Sequence, residues 1–211
     1  MKLGQYRVTI FLMILVLILV AISPLLANIV KFPDSSEKFS EFWLLGPENT
    51  AENYPFNVTD GETYKIFVNL NNHMDSSEDY KIYVKFGNDT QIDFANVSSL
   101  SLLYEFQALV DDEEAWESAV TFGFQNVVIQ DKVVTVDDVT TTLPIENSTL
   151  SVGDITINGT VIPVGASTSW NSENNGFYFR LSFELWHYDA SLKEISFHDR
   201  IVGLHLNMTS S

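Results

Sequence analysis

A chain of 211 residues with a formal net charge of −17 and no cysteine has length enough for one medium domain with a single hydrophobic core. The acidity argues against a nucleic-acid partner, because neutralising phosphates needs a basic face. The absence of thiols excludes disulfides, thiolate zinc sites and cysteine nucleophiles together.

The run from Val8 to Val30, "VTIFLMILVLILVAISPLLANIV", carries no charge. About 20 apolar residues rising about 1.5 Å each cross a hydrocarbon core of about 30 Å, so a transmembrane helix is expected over 8–30. Lys2 and Arg7 lie before it and no acid does, which places residues 1–7 in the cytoplasm and the rest outside. A cleaved signal peptide is the competing reading. Ala21-Ile22-Ser23 has small residues at the right spacing, but Pro24 follows the cut. The longer apolar run favours an uncleaved single-pass anchor in the cytoplasmic membrane. A polar linker is expected over 31–41 and an outer domain over 42–211.

Six N-x-S/T sequons follow the anchor, at Asn57, Asn88, Asn96, Asn147, Asn158 and Asn207. They are acceptor patterns for N-linked glycans on an outward-facing surface. The competing reading is a polar surface rich in serine and threonine.

Period-two alternation dominates the remainder. "YKIFVNL" places Tyr64, Ile66, Val68 and Leu70 on one face, and "YKIYVKF" places Tyr80, Ile82, Val84 and Phe86 inward with Lys81 and Lys85 outward. "LLYEFQALV" and "ESAVTFGF" flank the acidic "DDEEAW", although a short helix is an alternative over Leu100–Trp116. In "GDITINGTVIPV", Asn158-Gly159 between two alternating runs is a strong hairpin signal. "FYFRLSFELW" and "IVGLHLNM" supply two further strands, the second with Val202, Leu204, Leu206 and Met208 on one face. Strands at short spacing with Gly, Asn and Asp turns define an all-β antiparallel sandwich. The threonine-rich, acidic stretch "VTVDDVTTTLPIENSTLSVGD", Val134 to Asp154, reads as a long connection or an added hairpin, within an inserted region of about 127–172.

Chemistry-bearing patterns are sparse. No segment has the spacing of an EF-hand loop. The acids Asp111 to Glu114 read as a solvated turn, with weak divalent binding there or at Asp137-Asp138 left open. His73, His187, His198 and His205 lack metal-ligand spacing. No nucleophile elbow or phosphate loop occurs, and no catalytic residue, cofactor or metal ligand is assigned. The four tryptophans, Trp43, Trp116, Trp170 and Trp186, read as packing residues.

The stretch from Glu41 to Phe86 resembles the archaeal family of domain of unknown function 1616. The resemblance rests on Leu44, Leu45, Gly46 and Pro47, then Ala51, Glu52, Asn53, Tyr54 and Pro55, and on Gly61, Asn72, His73 and Tyr80. "EAWESAVTF" and "FELW…LHLNMT" are similar to the family's later part. Met74 departs from it, standing where an acid usually follows the histidine, and the region of about 127–172 has no counterpart. The resemblance implies a membrane-associated protein with an immunoglobulin-like outer domain, and no activity. Physically, Pro55 holds Tyr54 extended and Asp60-Gly61 turns the chain. Tyr54 is placed to cover the end of the sandwich through a hydroxyl bond to a backbone carbonyl.

The functional expectation is a non-enzymatic, membrane-anchored cell-envelope protein. Its outer domain binds or supports other envelope proteins, or a second copy, through exposed strand edges or the 127–172 region. One alternative is a subunit of an archaeal filament or its stator. Lys2 to Gln5, "KLGQ", fits a pilin-type cleavage site, whereas Arg7 stands where a pilin helix is apolar. A further alternative is a glycan-acting enzyme, since any two carboxylates can meet in space.

Overall fold

The structure, a computed structural model, describes residues 6, 10–18, 20, 38–131, 133–136, 139–142 and 145–209. The chain divides into two compact units, residues 1–38 and 39–211. In the first, residues 10–18 and 20 are helical and exposed. Among the described residues no helix is long and apolar enough to cross a membrane. Residues 8–9, 19 and 21–30 of the expected span, with 31–37 of the expected linker, lie outside the described residues.

The second unit is all-β. One sheet has the order β1 (Phe39–Leu45), β3 (Thr63–His73), β6 (Ala115–Gln130), β9 (Thr149–Ile157), β10 (Thr160–Ser169). The other has the order β2 (Asn57–Thr59), β12 (Glu194–Thr209), β11 (Tyr178–Asp189), β4 (Glu78–Asn88), β5 (Tyr104–Val110). A separate hairpin pairs β7 (Val133–Val136) with β8 (Val139–Thr142). Neighbours pair antiparallel throughout, except that β2 runs parallel to β12.

The core lies between the two five-stranded sheets. Ile66, Val68 and Leu70 of β3 and Val120, Phe122 and Phe124 of β6 are buried, as are Leu150, Val152, Ile155 and Ile157 of β9. From the opposite sheet come Ile82, Val84 and Phe86 of β4, Phe179, Leu181, Phe183 and Leu185 of β11, and Leu204, Leu206 and Met208 of β12. Alternation along each strand puts these side chains on one face, and burying that face supplies most of the stabilisation, about 25 cal/mol per Å² of apolar surface removed from water. Asn158 (φ 48°) and Gly159 (φ 79°) form the two-residue turn between β9 and β10. Both left-handed residues suit the turn type whose twist matches the strands.

The structure corrects several expectations. Residues 39–41 of the expected linker already belong to β1, because Phe39 stacks on His73 and Ser40 is buried opposite Asn72. Residues 149–169 of the expected insertion are integral: β9 lies between β6 and β10 and carries four core residues. Tyr104 to Val110 is a strand, which removes the helical alternative there.

Lys85 faces away from the core, as its alternation demands, yet only 8% of its side chain is exposed. The loop between β4 and β5 lies over this outer face. The Lys85 ammonium is 2.8 Å from Glu184 and donates to the Ser98 carbonyl at 2.6 Å. Glu184 in turn accepts from the Ser98 amide at 2.9 Å and the Trp186 indole at 3.3 Å. Arg180 pins the same loop through Asp89 and the Ile92 carbonyl and lies over the Phe94 ring. Gly203 lets that ring approach, since a β-carbon there would fall 2.4 Å from it.

Candidate functional site

Two features of different character lie along the seam where β1, the edge of one sheet, meets β12 of the other. The first is a polar chain. The inward-facing stripe of β1 runs Leu44, Phe42, Ser40, and that of β3 runs Leu70, Asn72, so both stripes turn polar at the same end. There the Ser40 hydroxyl lies 2.5 Å from the Tyr80 hydroxyl and 2.9 Å from His198 Nε2. Tyr80 donates to Asn72 Oδ1 at 3.0 Å. The Asn72 amide nitrogen donates to the carbonyls of Ser76 and Val110, and its oxygen also accepts from the Met74 amide.

Counting protons fixes the direction of this chain. Tyr80 has one proton and gives it to Asn72, so Ser40 donates to Tyr80. Ser40 then has none left, and His198 donates through Nε2–H. Burial pushes Tyr80 up to about 12. Burial, then His187 and Arg200, hold His198 down at about 4, so it is neutral near pH 7. The His187 and His198 rings are 4.3 Å apart. His187 Nδ1 lies 3.6 Å from Glu78 Oε2, beyond hydrogen-bond reach.

A serine beside a histidine raises the question of nucleophilic catalysis. Here the proton direction is the reverse of what that needs: a general base must accept the serine proton, whereas His198 donates to Ser40. Ser40 is also 1% exposed. The arrangement is a latch that ties β1 to β12, with the Arg200 guanidinium adding a bond to the Ser40 carbonyl.

Further along the same seam the strands part. The opening is a groove of about 480 Å³ with Trp43, Leu44, Tyr54, Pro55 and Phe56 on one side, Ile201 to His205 on the other, and Phe94 at its rim. Among the described residues no carboxylate lines it, in a chain with 28 acids. Phe56 is 48% exposed and Tyr54 39%. The segment leading into β2 shapes the opening: Pro55 has no N–H to give, and the Tyr54 hydroxyl donates to the Leu44 carbonyl at 2.9 Å.

A second cleft, of about 490 Å³, lies where β4 and β11 meet the end of β10. Its lining is polar, with Asn88, Asp89, Thr149 and Ser167 beside Trp170 and Tyr178. Among the described residues Asp89 is its one carboxylate, and it is paired with Arg180 at 2.9 Å. Glycoside hydrolysis in its usual form needs two facing carboxyl groups, so this lining lacks that pair.

The positions singled out by the motif are mostly structural. Leu44 and Tyr54 meet in the bond described above. Gly46 begins a tight loop, in which its amide donates to the Thr50 carbonyl and its α-carbon faces the Glu52 carbonyl. Ala51, Glu52 and Asn53 are exposed on that loop, Asn53 with φ 57°. Gly61 (φ 78°) turns the chain into β3. Asn72 and Tyr80 belong to the latch, and His73 bonds Glu113 at 3.1 Å.

The acidic turn is occupied by its neighbours. Asp111 accepts from the Ser77 hydroxyl, Asp112 from the Asp75 amide, and Glu113 pairs with His73. Among the described residues no group of three metal-ligating side chains is found. Asp137 and Asp138 lie outside the described residues.

The sequons differ in what their side chains already do. Asn57, Asn96, Asn147 and Asn158 are exposed, while Asn88 and Asn207 are partly buried. The Asn88 amide nitrogen donates to the Ser167 carbonyl, and that of Asn207 to Asn57. The Asn96 nitrogen bonds Asp93, helping to hold that carboxyl below its usual range after the Ala95 amide. Asn158 instead uses its oxygen, accepting from the Thr121 amide.

The fold and groove define an all-β, two-sheet sandwich with an open apolar seam. Residues 33–135 match the model of a protein family described as Domain of unknown function (DUF1616), which supports the family drawn from the motif. The match ends within β7, so β12 and its side of the groove lie beyond it. No curated protein matches the chain. Among solved structures, a beta-glucosidase from Listeria innocua in complex with gluconolactone is similar over 80% of this chain, at 12% identity and a TM-score of 0.29. The chain spans 16% of that protein's length, and at that score the likeness bears on neither fold nor activity.

Proposed function

We propose that this protein is a membrane-anchored, archaeal cell-envelope protein whose immunoglobulin-like outer domain binds other envelope proteins rather than catalysing a reaction. The observation that carries the reading is the groove between β1 and β12: apolar, open and free of carboxylates in a chain of net charge −17. An exposed apolar surface of that kind marks an interaction site more often than a stray exposed side chain does. The uncharged run from Val8 to Val30 supports the anchor, with the N-terminus inside, and the exposed sequons support an outward-facing, glycosylated domain. Asn57, Asn147 and Asn158 are the preferred acceptors, because among the described residues no hydrogen bond occupies their amide nitrogens.

Crosslinking in intact membranes, read by mass spectrometry, tests the proposal. The expected result is an N-terminus near Met1, crosslinks from the outer domain to a second envelope protein, and glycan mass on those three asparagines. A start at Gln5 with self-crosslinks along the apolar helix would instead establish a pilin and overturn the reading.

A further inference from the structure

The groove has a backbone side as well as an apolar one. Strand β12 pairs with β11 along its length, but on its other edge β2 covers only Asn207 to Thr209. The Asn207 amide donates across that edge to the Phe56 carbonyl at 2.7 Å, while the Met208 amide donates the opposite way, to the Phe177 carbonyl. Successive residues of a strand alternate in this direction. Ile201, Gly203 and His205 therefore present their N–H and C=O groups on the Asn207 side, where no strand of the described residues pairs with them. The bulge in β12 does not disturb this phase, because its register shift falls before Arg200.

Its own chain prepares this edge and then leaves it. A continuation of β2 toward its N-terminus would lay residues 55 and 54 beside β12. Pro55 lacks the donor for that ladder, and Tyr54 is drawn across to the Leu44 carbonyl. At the far end, Arg200 and His198 close the seam on Ser40. What remains is an opening about five residues long, about 17 Å at the usual rise of a strand.

We propose that the edge of β12 from Ile201 to Leu206 accepts an extended, uncharged segment of a partner protein as an added strand, in line with β2. This rests on the binding role proposed above and specifies its chemistry. The occupant follows from two observations. The edge already holds a strand at Asn207–Thr209, so the added one continues an existing ladder. The flanking walls are apolar and without carboxylates, so the side chains alternating into the seam beside Leu44, Val202 and Leu204 are aliphatic or aromatic. Main-chain bonds supply the alignment and the apolar side chains the selectivity.

The test uses the full chain and a capped seven-residue peptide that alternates threonine and valine. At saturating peptide, amide hydrogen exchange is expected to slow at least tenfold at Ile201, Gly203 and His205, with Leu204 and Leu206 unchanged. A peptide N-methylated at alternate amides is expected to give no protection. His205→Pro removes one edge donor that the β11 ladder does not use, and should weaken binding at least tenfold while leaving the fold intact. Equal protection by the methylated peptide, or none at millimolar capped peptide, would overturn the proposal. Protection that grows with protein concentration in the absence of peptide would give the edge to a second copy and overturn it too. Membrane crosslinks to an envelope protein made only from other surfaces would sink the strand acceptor while leaving the binding role in place.

Discussion

At the Ser40 end of the seam, β1 and β12 are joined by a chain of hydroxyl, imidazole and amide groups whose bonds run in one direction, from His198 through Ser40 and Tyr80 to Asn72. A few residues along the same two strands, at Trp43 and Gly203, the polar groups are gone and a groove opens. The sheets are the same and the strands continuous; only the chemistry of the inward positions changes. A sandwich can thus separate the work of holding its sheets together from that of offering a surface. The closed end is costly to disturb, because its polar groups are buried, whereas the open end tolerates change because water already reaches it.

The largest expected break in that comparison is Asn72→Ala. It removes the partner of Tyr80, of the Met74 amide and of two carbonyls at once. Stability should fall by about 3 kcal/mol or more in urea unfolding, since each buried group left unpaired costs about 1–3 kcal/mol. A loss below about 1 kcal/mol would mean that apolar packing alone closes that end.

Acid should act on the same end. His198 is neutral in the fold with its value near 4, against 6.5 in its ordinary state. The unfolded chain therefore takes up a proton that the folded chain refuses. The stabilisation is complete above about pH 6.5, declines as pH falls toward 4, and levels off below. Allowing for the ring's partial exposure, this amounts to about 2 kcal/mol. In His198→Gln, whose amide can still donate to Ser40, the decline over that window should shrink by that amount in parallel melts. Identical curves for the two proteins would remove His198 from the account.

The smallest effect belongs to the open end. Phe56→Ser should shift stability by about 0.5 kcal/mol or less, because its ring is 48% exposed, yet it should weaken peptide binding in the groove. A large loss of stability would show that the groove wall is part of the core.

Much of the sandwich is legible in the sequence. Alternation identifies the inward faces of β3, β4, β11 and β12, and Asn158-Gly159 marks its turn. Lys81 and Lys85 show where that legibility stops. They stand four residues apart on the same face of β4, and alternation treats them alike. Lys81 pairs with Glu105 on a partly exposed face, while Lys85 is covered by a loop that begins at the other end of the strand. A period assigns a face; it does not say what lies over it. The His187–His198 pair was hidden for a related reason. A two-residue bulge in β12, which leaves Asp199 at φ 52°, brings together rings that spacing alone keeps apart. The groove was hidden more deeply, since its walls come from residues 43–56 and 201–205 and only the topology makes them neighbours. Tyr54-Pro55 was readable as architecture, but its effect, an unpaired stretch of β12, depends on a strand about 150 residues away.

The antiparallel register of β1 also has a mechanical meaning. The strand enters the domain at Phe39, beside the latch, and reaches the groove at Trp43 and Leu44. Tension applied between Phe39 and the β12 wall of the groove pulls β1 along its axis, so its seven pairs with β3, from Phe39↔His73 to Leu45↔Phe67, bear the load in shear and together. Peeling from one end would instead break them singly. Load that enters at Phe39 and leaves through β12 thus acts in the stronger direction, and lifetime under such force is set by the rate of that collective rupture.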